Sequence, residues 1–293
     1  MTVLVTGGTG TVGSHVVSEL LARATTVRTI SRDPGAARVP EGVELVAGSL
    51  GDTAAMRSAL DGVDGLFLLS PVALDELNGS LATLDLARRA GIKAVVYLSV
   101  IHADVFTEPP HFAAKYAVER MIADRDIPAT VLRPGIYMQN DLAGRDRLLD
   151  AGVYDPPVGN NSVLFTDIRD IAEVAARELL RRVATPDAPS TTIDVVAPQI
   201  LGGDRVAAIW SSILGRDIRY GGDDLDRMEQ TLTQWLPDWF AYDLRLMYRC
   251  FQRDGISTPA DTDDRLRTIL GRPMRSYDAF ARETAESWRG VPA

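Results

Sequence analysis

The stretch Thr2-Val3-Leu4-Val5-Thr6-Gly7-Gly8-Thr9-Gly10-Thr11-Val12-Gly13 opens the chain and decides how the rest is read. Val3–Thr6 is a short apolar run with strand character. Val12–Ala24 sets Val16, Val17, Leu20 and Leu21 on one helical stripe. Between them, glycines at 7, 10 and 13 have G-x-x-G-x-x-G spacing. Strand, glycine turn and helix in that order are the context in which such a loop binds a dinucleotide. The loop needs a tight turn, close backbone approach to the pyrophosphate, and close helix–strand packing. The helix start adds free N–H groups and a partial positive charge. Thr6, Gly7, Gly10, Thr11, Val12 and Gly13 are therefore candidate cofactor contacts. The plain alternative is a glycine-rich turn that holds no ligand.

The following residues repeat the unit. Apolar runs at Thr26–Ile30, Val43–Ala47, Gly65–Leu69, Ala94–Ser99 and Ala129–Arg133 lack in–out alternation, as strands covered on both faces should. Helical patterns at Thr53–Leu60, Asn78–Ala90 and residues 111–125 separate them. Repeated βα units predict a doubly wound parallel α/β sheet. Asp167–Arg182 and Thr191–Val196 read as one more helix and strand, and Gly152–Gly159 as a loop. Helical patterns dominate from Gly202 onward, and all 4 tryptophans lie in that part. The expected organisation is a dinucleotide-binding domain over 1–150, rejoined by 160–200, and a smaller, mostly helical substrate lobe over 201–293.

Composition narrows the classes. A chain of 293 residues with 46% hydrophobic and 24% charged residues can bury a core without staples. A net charge of −9 repels phosphate backbones, so general nucleic-acid binding is not expected. One cysteine, Cys250, excludes an intrachain disulfide, and no Cys/His spacing points to a metal. No apolar run approaches the length of a membrane span. The N-terminus reads as a strand rather than a leader, which makes the cytoplasm the default compartment. A monomer or homodimer acting on a small molecule is the expected state.

The second strand bears on which dinucleotide binds. An NAD site usually ends that strand with an acidic residue for the ribose 2′-hydroxyl. Here the end reads Ser31-Arg32-Asp33. A guanidinium pairs with a 2′-phosphate through a fork of donors, and a hydroxyl can add a bond. Ser31 and Arg32 thus favour NADPH. Asp33 is the counterweight, since it could meet a 2′-hydroxyl and admit NAD.

At this point the sequence resembles the NmrA-like family, an atypical branch of the short-chain dehydrogenase/reductase superfamily. The likeness rests on the glycine loop, on Ser31-Arg32-Asp33-Pro34, and on Gly62–Pro71. It continues through Val96–Ser99, Lys115 with Val118-Glu119, Leu132–Gly135, Phe165–Ala172 and Gly271-Arg272-Pro273 with Ser276-Tyr277. The resemblance implies a Rossmann-like fold. It implies that Ser49 and Leu50 border the adenine, although the family more often has Asp where Ser49 stands. Leu69, Ser70 and Pro71 would line the far side of the cofactor, and Ser99 would lie near the nicotinamide. Pro134, Gly135 and Tyr137 would border the ring and the substrate pocket.

Typical members of the superfamily carry Tyr-x-x-x-Lys on the helix after the fifth strand. The matching stretch here is His111-Phe112-Ala113-Ala114-Lys115. Spacing of four residues puts both side chains on one helical face. Lys115 is the candidate contact to the nicotinamide ribose. His111 replaces the tyrosine, and an imidazole can act as an acid at neutral pH. The plain alternatives are an exposed lysine and a solvent-facing histidine. Trp235 and Trp239 either roof a pocket for a flat apolar substrate or simply pack the helical lobe. Two functions follow. One is an NADPH-dependent reductase of a small carbonyl or quinone-like compound. The other is an NADP(H)-binding redox sensor that acts through a protein partner.

Overall fold

The computed structural model describes residues 1–161 and 163–289. The last four residues of the expected 201–293 lobe lie outside the described residues. The chain order begins β1 (Thr2–Val5), α1 (Thr11–Leu21), β2 (Thr26–Ser31), β3 (Glu44–Ala47), α2 (Thr53–Leu60) and β4 (Gly65–Leu68). It continues α3 (Glu76–Arg89), β5 (Ala94–Leu98), α4 (Pro110–Asp124), β6 (Ala129–Pro134) and β7 (Ile136–Tyr137). A 3-10 turn (Met138–Gly144) leads into α5 (Arg145–Leu149), β8 (Val153–Tyr154), β9 (Val163–Thr166), α6 (Ile168–Ala184) and β10 (Thr191–Val195). The end comprises β11 (Ile200–Leu201), α7 (Gly203–Leu214), β12 (Arg219–Tyr220), α8 (Leu225–Leu232), α9 (Asp238–Asp254), α10 (Thr262–Leu270) and α11 (Tyr277–Arg289).

Two compact units are built from interleaved segments. The first holds Met1–Asp104, His111–Pro134 and Ile168–Val195; the second holds Val105–Pro110, Gly135–Asp167 and Val196–Ala293. Residues 135–150, grouped by sequence with the first half, cluster with the second unit. Their partners explain it: β7 pairs with β9 rather than extending the large sheet.

The first unit is the expected doubly wound sheet. Seven parallel strands run in the order β10-β6-β5-β4-β1-β2-β3. β4 and β5 are buried at every position, which is why they read as unbroken apolar runs. On one face, Met56 of α2, Leu84 and Ala87 of α3, and Val118 and Ile122 of α4 join the strand side chains in one core. On the other face α1 packs against α6. Every strand of a parallel sheet points the same way, so the loops after β1 to β6 all leave from one edge.

The second unit is largely helical but contains two small sheets. β9 lies between β7 and β11, and β8 pairs with β12 in parallel. The expected loop at Gly152–Gly159 therefore includes a strand. The unit's core holds Trp210, Tyr154, Tyr277, Phe165 and Phe251, all fully buried. Trp210 stacks on Trp288 with ring centroids 5.3 Å apart. Among the described residues no helix is long and apolar enough to cross a membrane.

Candidate functional site

The first unit's strand order places the candidate residues in a row along one edge. Next to β1 the order reverses, with β2 on one side and β4 on the other. Ligands of open α/β sheets gather at such a switch point. Going one way from the glycine loop come Ser31 and Arg32 after β2, then Gly48–Leu50 after β3. Going the other way come Leu69–Pro71 after β4, Ser99 after β5 and Pro134 at the end of β6.

The glycine loop is shaped by contacts that side chains would block. Gly7 has φ +65°, a left-handed conformation that favours glycine. A Cβ on Gly13 would lie 2.0 Å from the Gly7 carbonyl oxygen, so the helix start can sit this close only without a side chain. The helix start is also left open. Gly10 offers no side-chain cap, and no acidic residue lies in the first turn of α1. The amides of Thr11, Val12 and Gly13 have no acceptor among the described residues, while Ser14 N–H donates to Gly10 O at 2.9 Å. Thr9, Gly10 and Thr11 are exposed. Orphan amides at an accessible, unneutralised helix start fit a diphosphate in charge and in donor number.

At the end of β2 the two charged residues behave differently. Asp33 is committed to its own turn, where a carboxylate oxygen accepts from Ala36 N–H at 3.1 Å. Ser31 Oγ accepts from Asp33 N–H at 3.2 Å. Arg32 is exposed and has no ion-pair or hydrogen-bond partner among the described residues. The edge thus presents a cation with no partner among the described residues, beside a carboxylate that one oxygen ties to its own turn, and the cation suits a phosphorylated ribose.

Other candidates are held by the fold itself. Thr6 is fully buried, and its hydroxyl donates to Leu69 O and accepts from Leu69 N–H, both at 2.8 Å. It therefore stitches β1 to the segment after β4. Leu69 lies over Gly7, where a Cβ would come within 3.0 Å of its side chain. Ser70 Oγ is 2.5 Å from Ser80 Oγ, which donates to Glu76 O at 2.8 Å. Leu50 packs partly into the core, Ser49 is half-buried and Pro71 is exposed. Ser99 is buried and donates to Glu119 Oε1 at 2.5 Å.

One face of α4 carries three polar side chains. His111, Lys115 and Glu119 recur every four residues, and all are buried. The solvent-facing alternatives for His111 and Lys115 are thereby excluded. Lys115 Nζ lies 2.7 Å from Glu76 Oε1, with side-chain exposures of 7% and 3%. Glu119 is clamped by Arg133, whose Nε and a terminal nitrogen donate to its two oxygens at 3.0 and 2.5 Å. Arg133 also donates to Asp104 at 2.9 Å. Burial alone would lower the guanidinium's pKa, but Glu119 and Asp104 prevail and hold it above its ordinary value. Beside them, Tyr97 is raised well above its ordinary value by burial, and further by Glu76 and Glu119. Its buried hydroxyl has no hydrogen-bond partner among the described residues.

Glu76, Glu119 and Arg133 are the members that sequence reasoning missed. Glu119 had a signal, four residues beyond Lys115 on the same face. Glu76 had none, because only the packing of α3 beside α4 brings it to Lys115.

The remaining candidates belong to the second unit. Gly135 N–H donates to Thr166 Oγ1 at 3.0 Å, and a Cβ there would meet Leu164 O at 2.2 Å. Gly135 is thus a packing glycine against β9. Tyr137 is half-buried in β7. Trp235 is 82% exposed and Trp239 36%, so neither packs the lobe's interior as the plain alternative required. Among the described residues no cluster of His, Cys, Asp or Glu could hold a metal ion.

A family model for the NmrA-like family matches residues 1–267. The chain belongs to the NmrA-like family. This NmrA-like chain is 30% identical to an NAD(P)H azoreductase of Xenophilus azovorans over 291 residues, covering 98% of this chain and 99% of that one. Its structure is similar to that of an NADPH-dependent quinone oxidoreductase of Escherichia coli complexed with NADPH. The TM-score is 0.81 at 25% identity, covering 98% of this chain and 100% of that one. It also shares its fold with NmrA, a negative transcriptional regulator in complex with NADP. There the TM-score is 0.77 at 19% identity, over 99% of this chain and 98% of that one.

Proposed function

We propose that this NmrA-like protein is a reductase that uses NADPH to reduce a small, apolar carbonyl or quinone-like compound. The observation that carries the cofactor choice is Arg32 at the end of β2, exposed and without a partner among the described residues, beside an Asp33 that one carboxylate oxygen ties to its own turn. The open amides of α1 receive the diphosphate. Ser31 and Arg32 hold the 2′-phosphate, and Gly48–Leu50 border the adenine side. Leu69–Pro71, Ser99 and Pro134 lie toward the nicotinamide side in the strand order. NADPH supplies the hydride when bound. Lys115 binds the nicotinamide ribose with the two ammonium hydrogens that Glu76 does not use. His111, on the same face of α4, delivers the proton from an imidazole nitrogen to the reduced oxygen or nitrogen. Relatives named as an azoreductase and a quinone oxidoreductase support this substrate class.

The test is NADPH oxidation against quinones, azo and triphenylmethane dyes and enones, with NADH in parallel. Turnover with NADPH is expected for at least one class. Arg32→Ala is expected to reduce the preference for NADPH over NADH by about tenfold, the worth of one charge-assisted hydrogen bond. Tight NADP binding without turnover of any compound would leave the redox-sensor function instead.

A further inference from the structure

The buried pair between α3 and α4 carries more than the reading above uses. Lys115 has Glu76 as its only hydrogen-bond or ion-pair partner among the described residues. An ammonium carries three donors, so two point elsewhere. A buried charge survives only when paired, and unsatisfied buried donors are costly. Glu76 is the first residue of α3, where the helix's partial positive charge favours a carboxylate. Its own carbonyl is tied through Ser80 to Ser70, just after β4. The backbone that carries this carboxylate is thus tied to the segment that lines the cofactor edge.

We infer that Glu76 is the positioning residue of the nicotinamide end, aiming Lys115 so that its two spare donors meet the ribose diol. This rests on the dinucleotide reading above and adds a residue to it. Glu76 touches no part of the cofactor; it acts through Lys115. The effect is therefore confined to the nicotinamide half, while the adenine half, held by α1 and Arg32, stays unchanged.

Two probes separate the halves. NADPH carries both riboses, whereas adenosine 2′,5′-bisphosphate carries the phosphorylated ribose without the nicotinamide ribose. Calorimetry of Glu76→Gln is expected to show NADPH affinity reduced about tenfold, with affinity for the bisphosphate within about twofold of wild type. Lys115→Met is expected to show the same pattern. Adding Glu76→Gln to Lys115→Met should weaken NADPH no further, because the group it acts through is gone. That double variant removes both charges of the Lys115–Glu76 pair, so it remains readable if Glu76→Gln alone fails to fold. Glu76→Asp should recover part of the NADPH affinity. Equal losses for both probes would make Glu76 merely structural and overturn the inference. Unchanged affinity for both in Glu76→Gln, or a further tenfold loss in the double variant, would overturn it too. A wild-type protein that binds neither probe would instead defeat the dinucleotide reading itself.

Discussion

In the first unit the amides of Thr11, Val12 and Gly13 and the guanidinium of Arg32 end without partners among the described residues. In the second unit the polar groups turn inward. Asp141 is buried and accepts from Tyr277 Oη and, at 3.4 Å, from Tyr154 Oη. Tyr277 Oη in turn accepts from Trp210 Nε1 at 3.0 Å. Only the second arrangement places its polar groups where burial would make them expensive if unpaired. The closed cluster specifies how one unit packs. The open edge leaves donors for something outside the chain. This contrast separates a structural polar network from a binding one, and it can be broken from either side.

The largest effect is expected at the closed cluster. Burial pushes the Asp141 carboxyl up to about 7 from an ordinary value of 3.8, against the tyrosine hydrogen bonds, which pull it down. Between those two values the folded protein holds a proton that the unfolded chain releases. Stability therefore falls as pH rises through that window, and the loss is complete above about 7. At roughly 1.4 kcal/mol per pH unit, the fall from this group is on the order of 4 kcal/mol. Asp141→Asn mimics the protonated acid and should remove that part of the fall. Denaturation midpoints at pH 5 and pH 8 check it. An identical drop in both proteins would show that Asp141 is not the titrating group. NADPH affinity should be the same in both.

At the open edge the corresponding change is Gly13→Val. A side chain there collides with the Gly7 carbonyl, a backbone atom that cannot swing aside. The α1 start must then move by about an ångström. Losing two amide hydrogen bonds to a charged diphosphate, at roughly 1.5–3 kcal/mol each, costs about 100-fold or more. Calorimetry should show NADPH affinity lowered at least that far, with circular dichroism still reporting an α/β protein. A folded variant with unchanged affinity would show that the glycine loop does not hold the diphosphate.

The same contrast explains what the sequence made legible. The strands of the large sheet were readable because β1, β4, β5 and β6 are covered on both faces and so form unbroken apolar runs. The glycine loop was readable because strand, turn and helix are contiguous. β8 was not. Val153 and Tyr154 form a strand only by pairing with Arg219 and Tyr220, and two residues show no periodicity. Lys115 was found by the resemblance of His111–Lys115 to the superfamily's Tyr-x-x-x-Lys stretch, but the Glu76 that pairs with it lies in another helix. Asp141 gave no sign of its enclosure, since Tyr154 and Tyr277 reach it from distant segments. Local pattern reveals which groups a helix or strand presents; only tertiary packing reveals which of them are already satisfied.

The smallest expected effect compares two helix starts within the first unit. α1 begins at Gly10 with no cap, whereas α2 begins at Asp52, whose carboxylate accepts from Ala54 and Ala55 N–H, both at 3.0 Å. The same orphan amides exist at both ends. At α2 a side chain fills them, so the helix start is already neutralised and has nothing left for a phosphate. Asp52→Ala should cost about 1 kcal/mol of stability, the ordinary worth of such a cap. NADPH affinity should stay within about twofold, because α2 contributes no donor to the cradle. Thermal melts with and without NADP read both quantities at once. If the loss of the cap also lowered the stabilisation that NADP provides, α2 would belong to the binding edge. The distinction between a capped helix start that serves the fold and an open one that serves a ligand would then fail in this chain.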